Sequence, residues 1–420
     1  MSYPINQPIT YTAVAVTTGF PSNSFTYAWT FDDVTSATGA TYAKTWTSAA
    51  SHLATVIATD TVTGGTATAT KTIVVKDWST LTWVLSSNSM LPTGSGIAST
   101  YGLSLYTADK YLIYVGEYYH PEVLVVMDTL TNTVAQYTNA TVGAMSSCYL
   151  LSTGANAGKL LVLGVSSGKY AFVDLATGIF TIGSSPLAFL YPTLNGTLRT
   201  EFAMMGNGKL YVPCFGYNGS IYQNQCMTYD PINDVWANAA SWAGTPLLNG
   251  SYLRCFPLPS GKVFILCEAT SPYGYIVNGT TQTVTTGPAS TPLMSTGGFN
   301  TYAIEQLPNK SLVGMKTGVN PSVMGTFVEG AGDWSFAATG SPTINNTSSN
   351  QMIVTSDGFP VSVGRAGGDT PTTTIFYSPA NDSWIQGAVL PYNNAVAYKA
   401  FAGGRLWRCT AQGNLYYMVW

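Results

Sequence analysis

The sequence predicts an all-β chain: a β-sandwich over residues 1–77, followed by a seven-bladed β-propeller over residues 81–420. Three observations predict it. Only 8% of the 420 residues are charged while 46% are hydrophobic, and the polar remainder is mostly Thr, Ser, Asn and Gly. Those are the residues of strand surfaces and turns, in a chain with ample apolar surface to bury. Next, Tyr229-Asp230-Pro231-Ile232-Asn233-Asp234-Val235-Trp236 has a near twin in Tyr377-Ser378-Pro379-Ala380-Asn381-Asp382-Ser383-Trp384. In each, a strand ending in Tyr meets a turn of Pro, Asn and Asp, and a Trp opens the returning strand. Finally, the turn recurs about every 50 residues, at Asp128, Asp174, Asp230, Asn278, Glu329 and Ser378, and a second hairpin precedes each one. Four strands per unit of that length make a propeller blade.

Residues 1–77 read as a separate unit. Ile9-Thr10-Tyr11-Thr12-Ala13-Val14, Thr55-Val56-Ile57-Ala58-Thr59 and Thr70-Lys71-Thr72-Ile73-Val74-Val75 alternate as half-buried strands do, and residues 19–24 and 63–65 supply turns. Tyr27-Ala28-Trp29-Thr30-Phe31-Asp32-Asp33, with the strands that follow, resembles the PKD-type immunoglobulin-like family, which carries a Trp-x-Phe-x-Asp strand. Asp32 stands where that family usually has Gly. The resemblance implies a spacer or attachment module without catalytic residues. Lys76-Asp77-Trp78-Ser79-Thr80 reads as a short polar linker.

The repeat closes on itself. The last segment supplies three strands, at 396–401, 405–409 and 414–420, and Leu81-Thr82-Trp83-Val84-Leu85 is the orphan fourth that completes the sheet. Six full units and this composite one give the seven blades, with no exposed sheet edge. The Tyr-to-Trp spacing of the twin hairpins, with Gly367-Gly368 in the last full unit, resembles the kelch and galactose-oxidase propeller family.

Charge and leader signals bound the setting. A net charge of −3 without a basic cluster excludes a nucleic-acid partner, and no apolar run is long enough to span a bilayer. Met1-Ser2-Tyr3-Pro4-Ile5-Asn6 lacks the basic-then-apolar pattern of a signal peptide. The six cysteines have no metal-type spacing; they read as small buried side chains, with a Cys214–Cys226 bridge geometrically conceivable.

Catalytic signals are sparse. The two histidines are His52, in the sandwich, and His120. The resemblance to galactose oxidase implies a copper site with two His, which the propeller cannot supply. Arg254, Arg405 and Arg408 could converge as a sialidase-type carboxylate clamp, against the ordinary alternative of ion pairs and stacking. No metal, cofactor or catalytic residue is expected. Propeller connections from second to third strand emerge on one rim, and here they carry Tyr118, Tyr119, His120, Tyr217, Asn218, Tyr222, Tyr273, Asn320, Arg365 and Asp369. Tyr rings with polar tips beside amide and carboxylate side chains grip sugars or protein surfaces, so these ten residues are the expected ligand contacts.

The layout resembles bacteriophage fibre and decoration proteins. It implies a non-enzymatic virion-surface protein made in the host cytoplasm, held to other virion proteins by residues 1–77 and binding host-surface glycan or receptor through the propeller. The alternatives are a carbohydrate-active enzyme or binding protein of the bacterial exterior, and a purely structural scaffold.

Overall fold

The computed structural model describes residues 2–16, 24–89, 105–108, 110–115, 122–143, 145–164, 169–183, 202–217, 222–239, 254–266, 274–288, 304–316, 323–340, 351–363, 372–379, 382–390, 398–409 and 414–420. Among them the regular structure is strand, apart from one 3-10 turn at Trp78–Thr80. The chain is all-β, and its repeating part is a β-propeller.

At the N-terminal end, a five-stranded sheet faces the two-stranded pair Pro8–Thr12 and Thr41–Thr45. Alternation puts Ile9, Tyr11, Trp29, Phe31, Trp46, Ala54, Ile73 and Val75 in the core between them. His52 lies inside this core, its ring stacked 3.9 Å from that of Trp46, with Nδ1 3.2 Å from an Asp32 carboxylate oxygen. The expected polar linker is corrected: Trp78 is buried, packed on Phe359, Phe376 and Trp420.

Seven four-stranded antiparallel sheets follow among the described residues. Six are consecutive meanders, within residues 105–138, 145–183, 203–239, 254–286, 304–340 and 351–390. The seventh joins Tyr398–Ala402, Arg405–Cys409 and Asn414–Val419 to Val84–Ser89, so the closing strand forms as expected. Its bounds differ from the expected 81–85. Trp83 is drawn into the core instead, where its Nε1 donates to Thr374 Oγ1 at 2.8 Å, and the ladder starts at Val84.

A core fills every gap between neighbouring sheets. Leu160 and Val162 of the second sheet meet Ile113 and Val115 of the first, and the series runs on to Leu406 of the seventh against Phe376 of the sixth. Trp407 on the other face of the seventh then packs on Leu112 and Tyr114 of the first, which closes the ring. Each sheet is therefore apolar on both faces, and the strands read as continuous hydrophobic runs such as Leu160–Gly164.

The third-to-fourth turns repeat in backbone detail. Oδ1 of Asp128, Asp174, Asp230 and Asn278 each accepts from the two amides that lie two and three residues on. The turns end on left-handed residues: Asn132, Gly178, Asp234 and Gln282, with Asp382 in the same place after Ser378. In the twin hairpins the Tyr229 hydroxyl donates to Asp234 and that of Tyr377 to Asp382, each at 2.9 Å. The Tyr and Trp rings lie 4.9 Å apart in one and 4.7 Å in the other.

Turns of neighbouring sheets also abut at this end of the molecule. Gly206 N donates to Gly261 O at 2.8 Å, Ser260 N to Glu329 at 2.9 Å, and Gly154 lies against the Pro231 carbonyl. The result is a seam of turn-on-turn contacts around one end of the propeller.

Candidate functional site

Connections from second to third strand leave at the end opposite this seam, where the expected ligand residues belong. Tyr118, Tyr119, His120, Asn218, Tyr273, Asn320, Arg365 and Asp369 lie outside the described residues. The backbones of Tyr217 and Tyr222 are described. Leu210–Tyr217 and Tyr222–Asp230 pair until Tyr217 stands opposite Tyr222, so the loop expected over 215–224 is corrected to a hairpin that projects beyond the core. Phe215, Tyr217 and Tyr222 are aromatic, a residue type that favours the pleated conformation over an open loop.

First strands of neighbouring sheets lie against one another and form the inner wall. Arg254 opens one of them, opposite the last residue of its partner strand, Leu266, and so sits at the connection end. Its guanidinium donates to Ile304 O and, at 3.1 Å, to Glu305 of the next sheet, and it stacks on Phe256. A carboxylate is thereby held on the inner wall by a cation from the adjoining sheet. Such a pair can order a polar ligand, though Glu305 is already engaged.

The possibility of a three-arginine clamp is corrected. Arg405 reaches the seam end, donating to Thr129 O at 3.4 Å and stacking 4.8 Å from the Tyr417 ring. Arg405 and Arg408 alternate to opposite faces of one strand, toward the first and sixth sheets respectively. Arg254, on the fourth sheet and so three sheets from the seventh, is engaged with Ile304 O and Glu305. The reading of ion pairing and stacking describes Arg254 and Arg405 well.

Arg408 fits neither description. It is 1% exposed, and its Nε, Nη1 and Nη2 have no hydrogen-bond partner. Burial lowers its pKa to about 9 from the usual range. The signal was present in Arg405-Leu406-Trp407-Arg408-Cys409: in a sheet covered on both faces, a second-strand Arg has no route to water.

Register settles the cysteine bridge. Cys214 stands opposite Gln225, and Cys226 opposite Pro213, so the two are not cross-strand partners. Cys148, Cys226 and Cys255 are buried thiols, and burial pushes that of Cys148 well up. Among the described residues no three His, Cys, Asp or Glu side chains converge as a metal centre.

No protein-family model matches the sequence, and no curated protein matches it. Solved structures do. Virginiamycin B lyase from Staphylococcus aureus matches with a TM-score of 0.53 at 9% identity, over 81% of this chain and 99% of that one. A second structure of that enzyme, with quinupristin, matches at 0.53 and 10% identity, over 81% of this chain and all of that one. Oligogalacturonate lyase in complex with manganese matches at 0.50 and 12% identity, over 81% and 98%. At such identity the likeness carries the propeller fold. The expectation of a non-enzymatic phage-surface protein is corrected on this finding: the solved structures named above are lyases, and none of the three is a virion component.

Proposed function

We propose that the chain is a carbohydrate-active enzyme of lyase type, acting on an acidic glycan outside the cell. The observation that supports this reading is the fold shared along nearly their full length with two named lyases, one of them acting on an oligogalacturonate. In this reading residues 81–420 are a seven-bladed propeller of the kelch size class, and residues 1–77 an immunoglobulin-like spacer of the PKD type. The glycan rests on the rim of second-to-third connections, gripped by Tyr118, Tyr119, Tyr217, Asn218, Tyr222, Tyr273, Asn320, Arg365 and Asp369.

Elimination needs no water. A base takes the proton from the carbon beside the uronate carboxylate, its electron pair forms the carbon–carbon double bond, and the glycosidic oxygen leaves with a proton from an acid. His120 has the side chain whose ordinary pKa suits the base. One observation favours a second reading, binding without turnover: the only other histidine, His52, is sequestered in the N-terminal core.

The test is incubation of the full chain with polygalacturonate and other uronate polysaccharides, following the ultraviolet absorbance of the unsaturated product. Many turnovers per protein, abolished by His120→Ala and reduced by Tyr217→Ala or Tyr273→Ala, are expected. Saturable binding without product favours the second reading, and neither product nor binding refutes both.

A further inference from the structure

Leu406 and Arg408 share the face of the seventh sheet that packs on the sixth. The core cluster that holds Leu406 there includes Trp83, Phe359, Val361, Phe376, Tyr416 and Met418, and the Thr374 hydroxyl beside it is taken by Trp83 Nε1. Into this layer the chain places a guanidinium with five N–H donors and no acceptor for any of them. Among the described residues no carboxylate pairs with it. Across the second ladder Arg408 stands opposite Tyr416, which offers no counter-charge.

A buried cation without a counter-charge is among the most costly arrangements a fold can hold. Every other described arginine has its acceptor or aromatic partner. The end of the second strand is also where the proposed ligand rim begins.

We infer that Arg408 marks a binding site for a small anion of the carboxylate class, seated between the sixth and seventh sheets. The planar fork of donors matches the two oxygens of a carboxylate, which can accept two parallel hydrogen bonds. The anion is either free in solution or the carboxylate of an acidic sugar. The inference stands on the packing at Arg408 whether or not the chain cleaves glycan.

Thermal unfolding of the full chain tests it, using wild type, Arg408→Met and Arg408→Lys. Sodium acetate, sodium chloride and sodium galacturonate are titrated against sodium HEPES at equal ionic strength. Wild type is expected to gain Tm saturably with acetate, Arg408→Met to show no gain, and Arg408→Lys to need at least tenfold more anion. In the HEPES reference, Arg408→Met is expected to match or exceed wild type, since it fills the same volume without a charge. Equal responses to chloride and acetate overturn the carboxylate assignment; response to acetate without galacturonate identifies a free carboxylate, and response to both identifies a site that accepts a sugar carboxylate. A wild type that responds to none of the three overturns the inference, even if Arg408→Met does not fold. So does an Arg408→Met protein that responds like wild type, or one that is less stable in HEPES with no anion dependence in either protein.

Discussion

Substituting Gly154 by Ala isolates the contribution of the turn-on-turn seam. Gly154 has a φ of +83°, and a Cβ built on it would lie 1.7 Å from the Pro231 carbonyl oxygen and 2.5 Å from its carbon. Real Cβ atoms keep at least 3.0 Å from such neighbours, so the turns of the second and third sheets must part by more than 1 Å. The left-handed backbone alone costs an alanine about 1–2 kcal/mol. Forcing packed backbone apart adds about 1–3 kcal/mol. The expected destabilisation is therefore about 2–5 kcal/mol. Gly158 provides the control within the same hairpin: its φ is +81°, and nothing lies within 4 Å of its Cβ position. Gly158→Ala should lose only the backbone term, about 1–2 kcal/mol. Urea unfolding followed by tryptophan fluorescence, compared at equal slope, measures the difference. Equal losses in the two variants would refute the seam as a packed contact.

The twin hairpins predict an alkaline weakness. Burial, with the bond to Asp234 or Asp382, raises the Tyr229 and Tyr377 pKa values well above the usual phenol range. Raised in the folded state, these groups contribute stability that is whole below about pH 10 and lost as pH rises beyond it. Tyr229→Phe and Tyr377→Phe should each cost about 1 kcal/mol at neutral pH and blunt the alkaline loss; an unchanged pH profile in the double variant contradicts this. At the other extreme, bonds from Lys44 and Thr35 lower the Asp33 pKa to about 2. Its stabilisation is present above about pH 4 and lost as pH falls toward 2, and solvent screening keeps it below about 1 kcal/mol. Lys44→Met should return the Asp33 carboxyl toward its usual titration in a carbon-detected NMR experiment, and an unmoved midpoint would count against the pairing. Trp83→Phe removes the bond to Thr374 and strands its buried hydroxyl, for about 1–3 kcal/mol. Amide exchange should quicken first in Val84–Ser89; unaltered protection there means Trp83 does not anchor the closing strand.

What could be read from sequence was local. The Tyr229–Trp236 turn announces itself because Pro, Asn and Asp act within a few residues of where they stand. Repetition at a steady interval then carries the ring. The closing strand is legible in existence but not in its bounds, because Trp83 answers to Thr374, on a different sheet altogether. Trp78 reads as linker from sequence because its partners, Phe359, Phe376 and Trp420, are remote along the chain. Arg408 shows the same limit from the other side. A lone arginine between apolar residues looks like a surface position until both faces of its sheet are known to be covered. The projection of the Tyr217–Tyr222 hairpin was hidden by the Gly and Asn of its tip. For the rest of the rim, sequence supplies residue types and their order, while their mutual placement depends on how loops from separate sheets meet.

The pairing of Val84–Ser89 with Asn414–Val419 has a consequence for biosynthesis. A ribosome completes the early strand first, and its partner emerges only after all the intervening sheets. Until then a strand edge waits unpaired, open to other nascent chains. The slowest step is set by this one distant contact, because closing so long a loop must precede any reward from the ladder. A circular permutant that carries residues 78–89 after Trp420, joined by a short glycine linker, would keep every native contact of that sheet while making it a local meander. Such a chain should reach the same native fold sooner and aggregate less on the way.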